Sequence, residues 1–185
     1  MARVIVTEFV SLDGVMEAPG GDDGFVRGAW TFEFDRGDEG NKFKVDETMA
    51  SDALLLGRKT YDGFAAAWPE REGEFADKFN SMPKYVVSST LQDPQWTNTT
   101  VLDGDLVQEV RRLRELDGDV VVHGSVQLAQ ALIANDLVDE LRLMVFPVVL
   151  GSGKRLFGET DDKKPLRLSD SRVVGDGVAI MVYER

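Results

Sequence analysis

The sequence predicts an α/β fold in three layers: a mixed, mostly parallel sheet with helices on both faces and a C-terminal antiparallel hairpin. Three observations carry this expectation. Short apolar runs that end at Gly or a polar residue alternate with helix-like segments through most of the chain, the signature of β–α units and of a parallel sheet covered on both sides. Near the C-terminus the alternation stops, and two strand-like segments meet at Gly175-Asp176-Gly177, a hairpin turn. The chain has 185 residues, of which 43% are hydrophobic, enough for one domain with a sizeable core.

Residues 3–10 read as a buried strand, and the Gly-rich residues 11–32 as a long loop holding Trp30 and Phe32. A helix is expected over 35–51. Ala53-Leu54-Leu55-Leu56 is a short buried strand stopped by Gly57, and a helix follows from Arg58 to Ala67. Lys84 to Ser88 is a further strand. Between Asp105 and Leu116, the residues Leu106, Val110 and Leu113 fall on one stripe of a helix. Asp119 to His123 is a strand, Ser125 to Ala134 a helix, and 138–147 a long strand. The hairpin joins 166–174 to 178–184.

Composition removes several functional classes. The chain has no Cys and a single His, His123, so disulfides, thiol catalysis and a zinc site of Cys and His ligands are excluded. Its net charge is −12 with no Lys/Arg cluster, which argues against a nucleic-acid partner, since phosphates require a basic face. The N-terminal apolar run is too short for a signal peptide, and no stretch approaches the roughly 18 apolar residues of a membrane span. A cytoplasmic protein without a membrane partner is expected.

Two strand-to-helix junctions share one design: Leu56-Gly57-Arg58-Lys59-Thr60 and Val122-His123-Gly124-Ser125-Val126. In each, a buried strand stops at Gly and a helix starts at once. The free N–H groups of a first helical turn and the helix dipole favour an anion, and Gly lets that anion approach the backbone. Arg58 and Lys59 add cations; Thr60 and Ser125 add hydroxyls. The structural alternative is that both glycines only make tight turns and that Ser125 is an ordinary N-cap. The helix at Asp105 is a contrast, because an anionic N-cap repels phosphate. Ser88-Ser89-Thr90 follows a buried strand and offers three hydroxyls, either to a 2′-phosphate or merely to a turn. Gly151-Ser152-Gly153-Lys154 completes neither a dinucleotide fingerprint nor a P-loop. His123 reads as a structural residue at a strand end, and Trp30 either as part of a local core or as a stacking surface.

The set Ser11-Leu12-Asp13-Gly14, Gly57-Arg58-Lys59-Thr60, Ser88-Ser89-Thr90, His123-Gly124-Ser125 and Pro147-Val148-Val149-Leu150-Gly151-Ser152-Gly153 resembles, in order and spacing, the dihydrofolate reductase superfamily. The closer likeness is to the reductase domain of the bifunctional riboflavin-biosynthesis deaminase/reductase and its stand-alone relatives. The resemblance covers essentially the whole chain, as one dihydrofolate-reductase-like domain over residues 1–185. It implies NADPH as cofactor. On that likeness Gly57, Arg58 and Thr60 hold phosphates, with Lys59 beside them, and Ser88 and Ser89 lie near the 2′-phosphate. Gly124, Ser125, Val126 and Leu128 line the pyrophosphate and nicotinamide side. Asp13, Trp30, Pro147, Gly151 and Gly153 face the substrate. Thr7 and Glu8 stand where riboflavin reductases often carry a Lys. Asn41 stands where dihydrofolate reductases place a pterin-binding carboxylate.

These readings lead to a reductase that transfers a hydride from NADPH to a small, polar, heterocyclic substrate, with Asp13 as the expected proton source and Glu8, Glu39, Asp46 or solvent in reserve. The alternative is an NADP(H)-binding module with lost or weak catalysis. The apolar segments Leu141–Leu150 and Val178–Tyr183 also predict a homodimer.

Overall fold

A computed structural model describes residues 1–21 and 24–185 of the chain. Its elements run β1 (Arg3–Ser11), a 3-10 turn at Trp30–Glu33, α1 (Gly37–Ala50), β2 (Ala53–Gly57), α2 (Arg58–Ala67), α3 (Glu74–Ser81), β3 (Lys84–Val87), β4 (Thr99–Leu102), α4 (Leu106–Leu113), β5 (Asp119–Val122), α5 (Val126–Ala134), β6 (Glu140–Phe146), β7 (Arg167–Val174) and β8 (Val178–Glu184). They form an eight-stranded sheet in the order β4-β3-β2-β5-β1-β6-β8-β7. The first six strands pair in parallel, and β8 is antiparallel to both β6 and β7. The predicted α/β architecture with a C-terminal hairpin is the observed one. Among the described residues no helix is long and apolar enough to cross a membrane.

Period-two alternation along the strands sends side chains to two apolar layers. On one face Val4, Val6, Leu55, Val120 and Val122 meet Val110 and Leu113 of α4 and Leu128, Ala129 and Leu132 of α5. On the other, Leu54, Leu56 and Val86 meet Tyr61 and Phe64 of α2 and Phe79 of α3. Farther along that side, Phe9, Met144, Phe146 and Ile180 pack with Trp30 and with Phe43 of α1. The inward residues of α1 include Glu47 and Thr48, so this helix lays a polar face on the sheet.

Two elements carry no clear signal in the sequence, α3 and the edge strand β4. Their junction with β3 is organised by Lys84, which is fully buried. Its ammonium donates to the carbonyl oxygens of Asn80, Met82 and Thr97 at 2.7, 2.8 and 3.0 Å and stands 4.4 Å over the Trp96 ring. Burial pushes its pKa down to about 8. Several predicted elements are shorter than expected. The helix at 105–116 ends at Leu113, β5 stops at Val122 rather than His123, and the strand at 138–147 spans only Glu140–Phe146.

Candidate functional site

The early end of β5 creates the site. β1 pairs with β5 only from Arg3 to Val6, whose partner is Val122, while on its other edge β1 pairs with β6 as far as Ser11. Past Val6 the β5-side edge of β1 therefore has no strand partner among the described residues. Ligands in open α/β sheets bind at such splayed crevices, beyond the C-terminal ends of strands. A cleft of about 910 Å³ opens there.

The two strand-to-helix junctions form its upper wall and touch each other. A Cβ on Gly57 would lie 2.2 Å from Ser125 Oγ, and one on Gly124 would lie 2.8 Å from Thr60 Oγ1. Neither α2 nor α5 has a side-chain cap, although Ser125 occupies the N-cap position of α5. In α4, by contrast, Asp105 accepts from Gln108 N at 3.1 Å. The Gly124–Ser125 peptide is cis.

The sequence-predicted residues Gly57, Arg58, Lys59, Thr60, Gly124, Ser125, Val126 and Leu128 all line this cleft. Arg58 pairs with Asp62 at 2.8 Å and donates to Thr90 Oγ1 at 3.4 Å, which ties the Ser88–Thr90 turn to the rim. Ser88 and Ser89 themselves lie outside the lining. The Ser88 hydroxyl accepts from Leu91 N at 3.0 Å and Thr90 N at 3.3 Å, and Ser89 is exposed.

The substrate-side expectations need correction. Asp13 is absent from the cleft lining. It accepts from the Ser11 hydroxyl at 2.7 Å and from Leu150 N and Gly151 N at 3.0 and 2.9 Å. These hydrogen bonds, led by that from Ser11, hold its carboxyl at a pKa of about 2. It clasps two loops and has no proton to give near neutrality. Trp30 is a core residue, 1% exposed, its indole N–H donating to Glu17 O at 3.0 Å. Pro147, Gly151 and Gly153 also lie off the cleft, and Gly153 packs against Val15 and Phe25.

The inner end of the cleft is polar instead, through residues of β1 and α1 and through His123, which follows β5. On the α1 side of the sheet, Glu47 accepts from Thr7 Oγ1 at 3.0 Å, pairs with Lys44, and faces Arg142 at 3.4 Å. Burial pushes the Glu47 carboxyl up, but Lys44 and Arg142 together hold it below its ordinary value. Lys44 also donates to Thr7 Oγ1 at 2.9 Å and stands 5.2 Å over the Phe9 ring. Burial pushes the His123 imidazole down to about 3, so it is neutral, and its Nε2 has no partner among the described residues. On the opposite side of β1, Glu8 Oε1 accepts from Gly124 N at 2.6 Å. Burial pushes the Glu8 carboxyl up to about 8.

Of these, Thr7, Glu8, Lys44 and His123 line the cleft, and the sequence did carry a signal for them. Thr7-Glu8 interrupts an otherwise apolar strand, and Lys44 and Glu47 are one helical turn apart. Counting sixteen positions back from Gly57 instead selects Asn41, which lies off the cleft.

A family model described as the RibD C-terminal domain matches residues 2–180. The chain belongs to the RibD C-terminal domain family. It is 30% identical over 187 residues to the uncharacterized Bacillus subtilis (strain 168) protein YyaP, covering 98% of this chain and 94% of that one. A Shewanella sp. PV-4 structure named for riboflavin biosynthesis superposes with a TM-score of 0.80 at 24% identity, covering 100% of this chain and 99% of that chain. An Enterococcus faecalis dihydrofolate reductase complexed with NADP(H) and RAB-propyl gives 0.59 at 15% identity, covering 99% and 96%. Both structural likenesses establish the dihydrofolate-reductase-like fold. Membership of the RibD C-terminal domain family makes the chain one of a family of reductases.

Proposed function

We propose that this chain is an NADPH-dependent reductase that transfers a hydride to a small, polar, heterocyclic acceptor. One observation carries the reading. Two uncapped helix N-termini meet in one cleft, and the other end of that cleft runs into the unpaired gap beside β1. The first feature suits a pyrophosphate; the second suits flat rings laid edge-on to a strand. The residues present fit the cofactor. The first turns of α2 and α5 offer N–H donors, with Thr60 and Ser125 beside them, and Arg58, Lys59 and the Ser88–Thr90 turn suit the 2′-phosphate. NADP(H) in the Enterococcus faecalis enzyme supports the same reading. When bound, the cofactor supplies the hydride. The chain positions donor and acceptor and excludes water.

Fluorescence titration with NADPH and NADH tests the binding half. Charge-assisted hydrogen bonds are worth about 1.5–3 kcal/mol, so NADPH binds at least tenfold more tightly than NADH, and Arg58→Ala removes most of that preference. Equal affinities in the parent protein contradict the 2′-phosphate assignment. Oxidation of NADPH with a panel of pterins, flavins, pyrimidines and quinones tests the catalytic half. Tight NADPH binding with no turnover across the panel leaves a binding module rather than an enzyme.

A further inference from the structure

Reduction of a polar double bond needs a proton as well as a hydride, and the residue first expected to give it, Asp13, is ionised and committed to a loop clasp. The other titratable groups at the cleft divide clearly. Glu17 accepts from Lys154 N at 2.9 Å and faces its ammonium at the rim. Asp62 is paired with Arg58. Glu47 is ionised against Lys44 and Arg142. His123 is neutral and, with a pKa of about 3, carries no transferable proton near neutrality.

Glu8 is different. It sits on β1 where the strand loses its β5 neighbour, lines the cleft and is only 8% exposed. One of its oxygens accepts from Gly124 N. Among the described residues no cation pairs with it and no group bonds its second oxygen. The groups around it explain this. Lys44 of α1 is engaged by Glu47 and Thr7. Arg142 of β6 is engaged by Glu140 and Glu47. The residue across from Glu8 on β6 is Leu143, and α5 brings Leu128 to the cleft. A buried carboxylate with one hydrogen bond and no partner cation is costly, whereas the neutral acid is satisfied through its carbonyl oxygen and keeps an O–H to offer.

We propose, resting on the reductase reading above, that Glu8 is the proton donor of the reaction: a neutral carboxylic acid whose O–H faces the acceptor in the gap beside β1. As the carbon of the acceptor's C=N or C=O bond takes the hydride from reduced nicotinamide, the π electron pair moves to the heteroatom. The heteroatom then takes the Glu8 proton. The products are the saturated C–N or C–O compound, oxidised nicotinamide and the Glu8 carboxylate, which water reprotonates. The substrate is thereby narrowed to rings with a basic nitrogen or a carbonyl oxygen next to the carbon reduced. Because burial holds the acid to about 8, turnover is full below that pH and falls as pH rises through it.

Glu8→Gln keeps the oxygen that accepts from Gly124 N and nearly the same volume, so it separates the proton from the fold. The first readout needs no turnover. In deuterium oxide near pH 7, infrared spectroscopy of the parent protein shows the C=O stretch of a protonated carboxylic acid, which titrates away near pH 8 and is missing in Glu8→Gln. Its absence from the parent protein overturns the proposal. The second readout is NADPH affinity, which Glu8→Gln leaves within about threefold; a greater loss assigns Glu8 to cofactor binding and overturns the donor role. The third is turnover with 7,8-dihydropterin, a cyclic imine, or with whichever other panel member oxidises NADPH. Glu8→Gln lowers it by about a hundredfold or more and flattens the fall above pH 8. A parental rate in Glu8→Gln overturns the donor role alone. A parent protein that binds NADPH but reduces no panel member overturns the reductase reading, and the donor role with it.

Discussion

Gly57→Ala isolates the contact between the two junctions that wall the cleft. The backbone at Gly57 has φ −78° and ψ 158°, which alanine adopts freely, so backbone strain plays no part. The conflict is steric. The added Cβ would stand 2.2 Å from Ser125 Oγ and 2.9 Å from Ser125 Cβ, well inside contact distance, and both atoms sit on a backbone-anchored side chain. Ser125 must therefore move, and the first turn of α5 with it. Overpacking of this kind costs about 1–3 kcal/mol, and for a chain of this size each kcal/mol shifts Tm by roughly 2–4 °C. The expected loss is about 2–12 °C by thermal denaturation. The displaced first turns no longer present their N–H groups together, so NADPH affinity falls by about tenfold or more. Ser125→Gly removes both conflicting atoms, and because Ser125 makes no side-chain cap it costs only a few tenths of a kcal/mol alone. The double variant recovers most of the Tm, with a coupling energy of about 1–2 kcal/mol. Additive losses in the double variant, or a Gly57→Ala protein as stable as the parent, refute the argument that the two junctions touch.

Three further outcomes follow from the same contacts. Asp13→Asn loses the ionised acceptor of three hydrogen bonds and is destabilised by roughly 1–3 kcal/mol, while NADPH affinity stays parental; because the folded carboxyl lies at about 2, below its unfolded value, this stabilisation is complete above about pH 4 and disappears as pH falls towards 2 in acid titrations of the parent. Lys84→Met strands the carbonyls of Asn80, Met82 and Thr97 and lowers stability by about 2–4 kcal/mol in urea denaturation, whereas a loss under 0.5 kcal/mol means that the three acceptors find other donors. The segments that predicted a homodimer, Leu141–Leu150 and Val178–Tyr183, bury Leu141, Met144, Phe146, Val178 and Ile180 inside the domain, so they cannot form its contact. We propose instead that the exposed Leu168 and Val173 of the edge strand β7 do, in which case sedimentation at micromolar concentration gives twice 20.5 kDa, and a stable monomer refutes it.

The fold was legible where local pattern and tertiary role agree. The buried strands β1, β2 and β5 are apolar runs, α2 starts directly at the Gly57 stop, and the final hairpin turns at Gly175–Gly177. Helix α3 and strand β4 were not, because their order depends on Lys84, a charged side chain satisfied only by carbonyls from three separate positions. The half of the candidate site at the two glycine junctions was legible for a local reason: strand, Gly and helix N-terminus are neighbours in sequence. The inner half showed in the sequence only as the polar break Thr7-Glu8 and the Lys44–Glu47 spacing, not as a site. Thr7, Lys44, Glu47 and Arg142 come from three elements and meet only through strand pairing and the seating of α1. Asp13 misled because an Asp-Gly pair beside a Gly-rich loop looks the same whether it faces a ligand or fastens the loop to residues 150 and 151.

The charge of −12 opposes the proposed anionic cofactor, yet the cleft lining is locally basic. Its lining carries Lys44, Arg58, Lys59, Arg71 and Lys154 against Glu8, Glu17 and Asp62, so basic side chains outnumber acidic ones there, although Lys44 is also paired with Glu47. Exposed carboxylates elsewhere act across water, where screening over about 8 Å removes most of their effect. The lining cations act at contact distance beside the dipoles of two helices. The neutrality of Glu8 is thus part of the binding logic as well as of the proposed chemistry. Ionised, it would set a negative charge beside the first turn of α5, where the proposed phosphates would lie, through its bond to Gly124 N. Protonated, it would leave that turn to the proposed phosphates and keep the proton that the proposed reduction consumes.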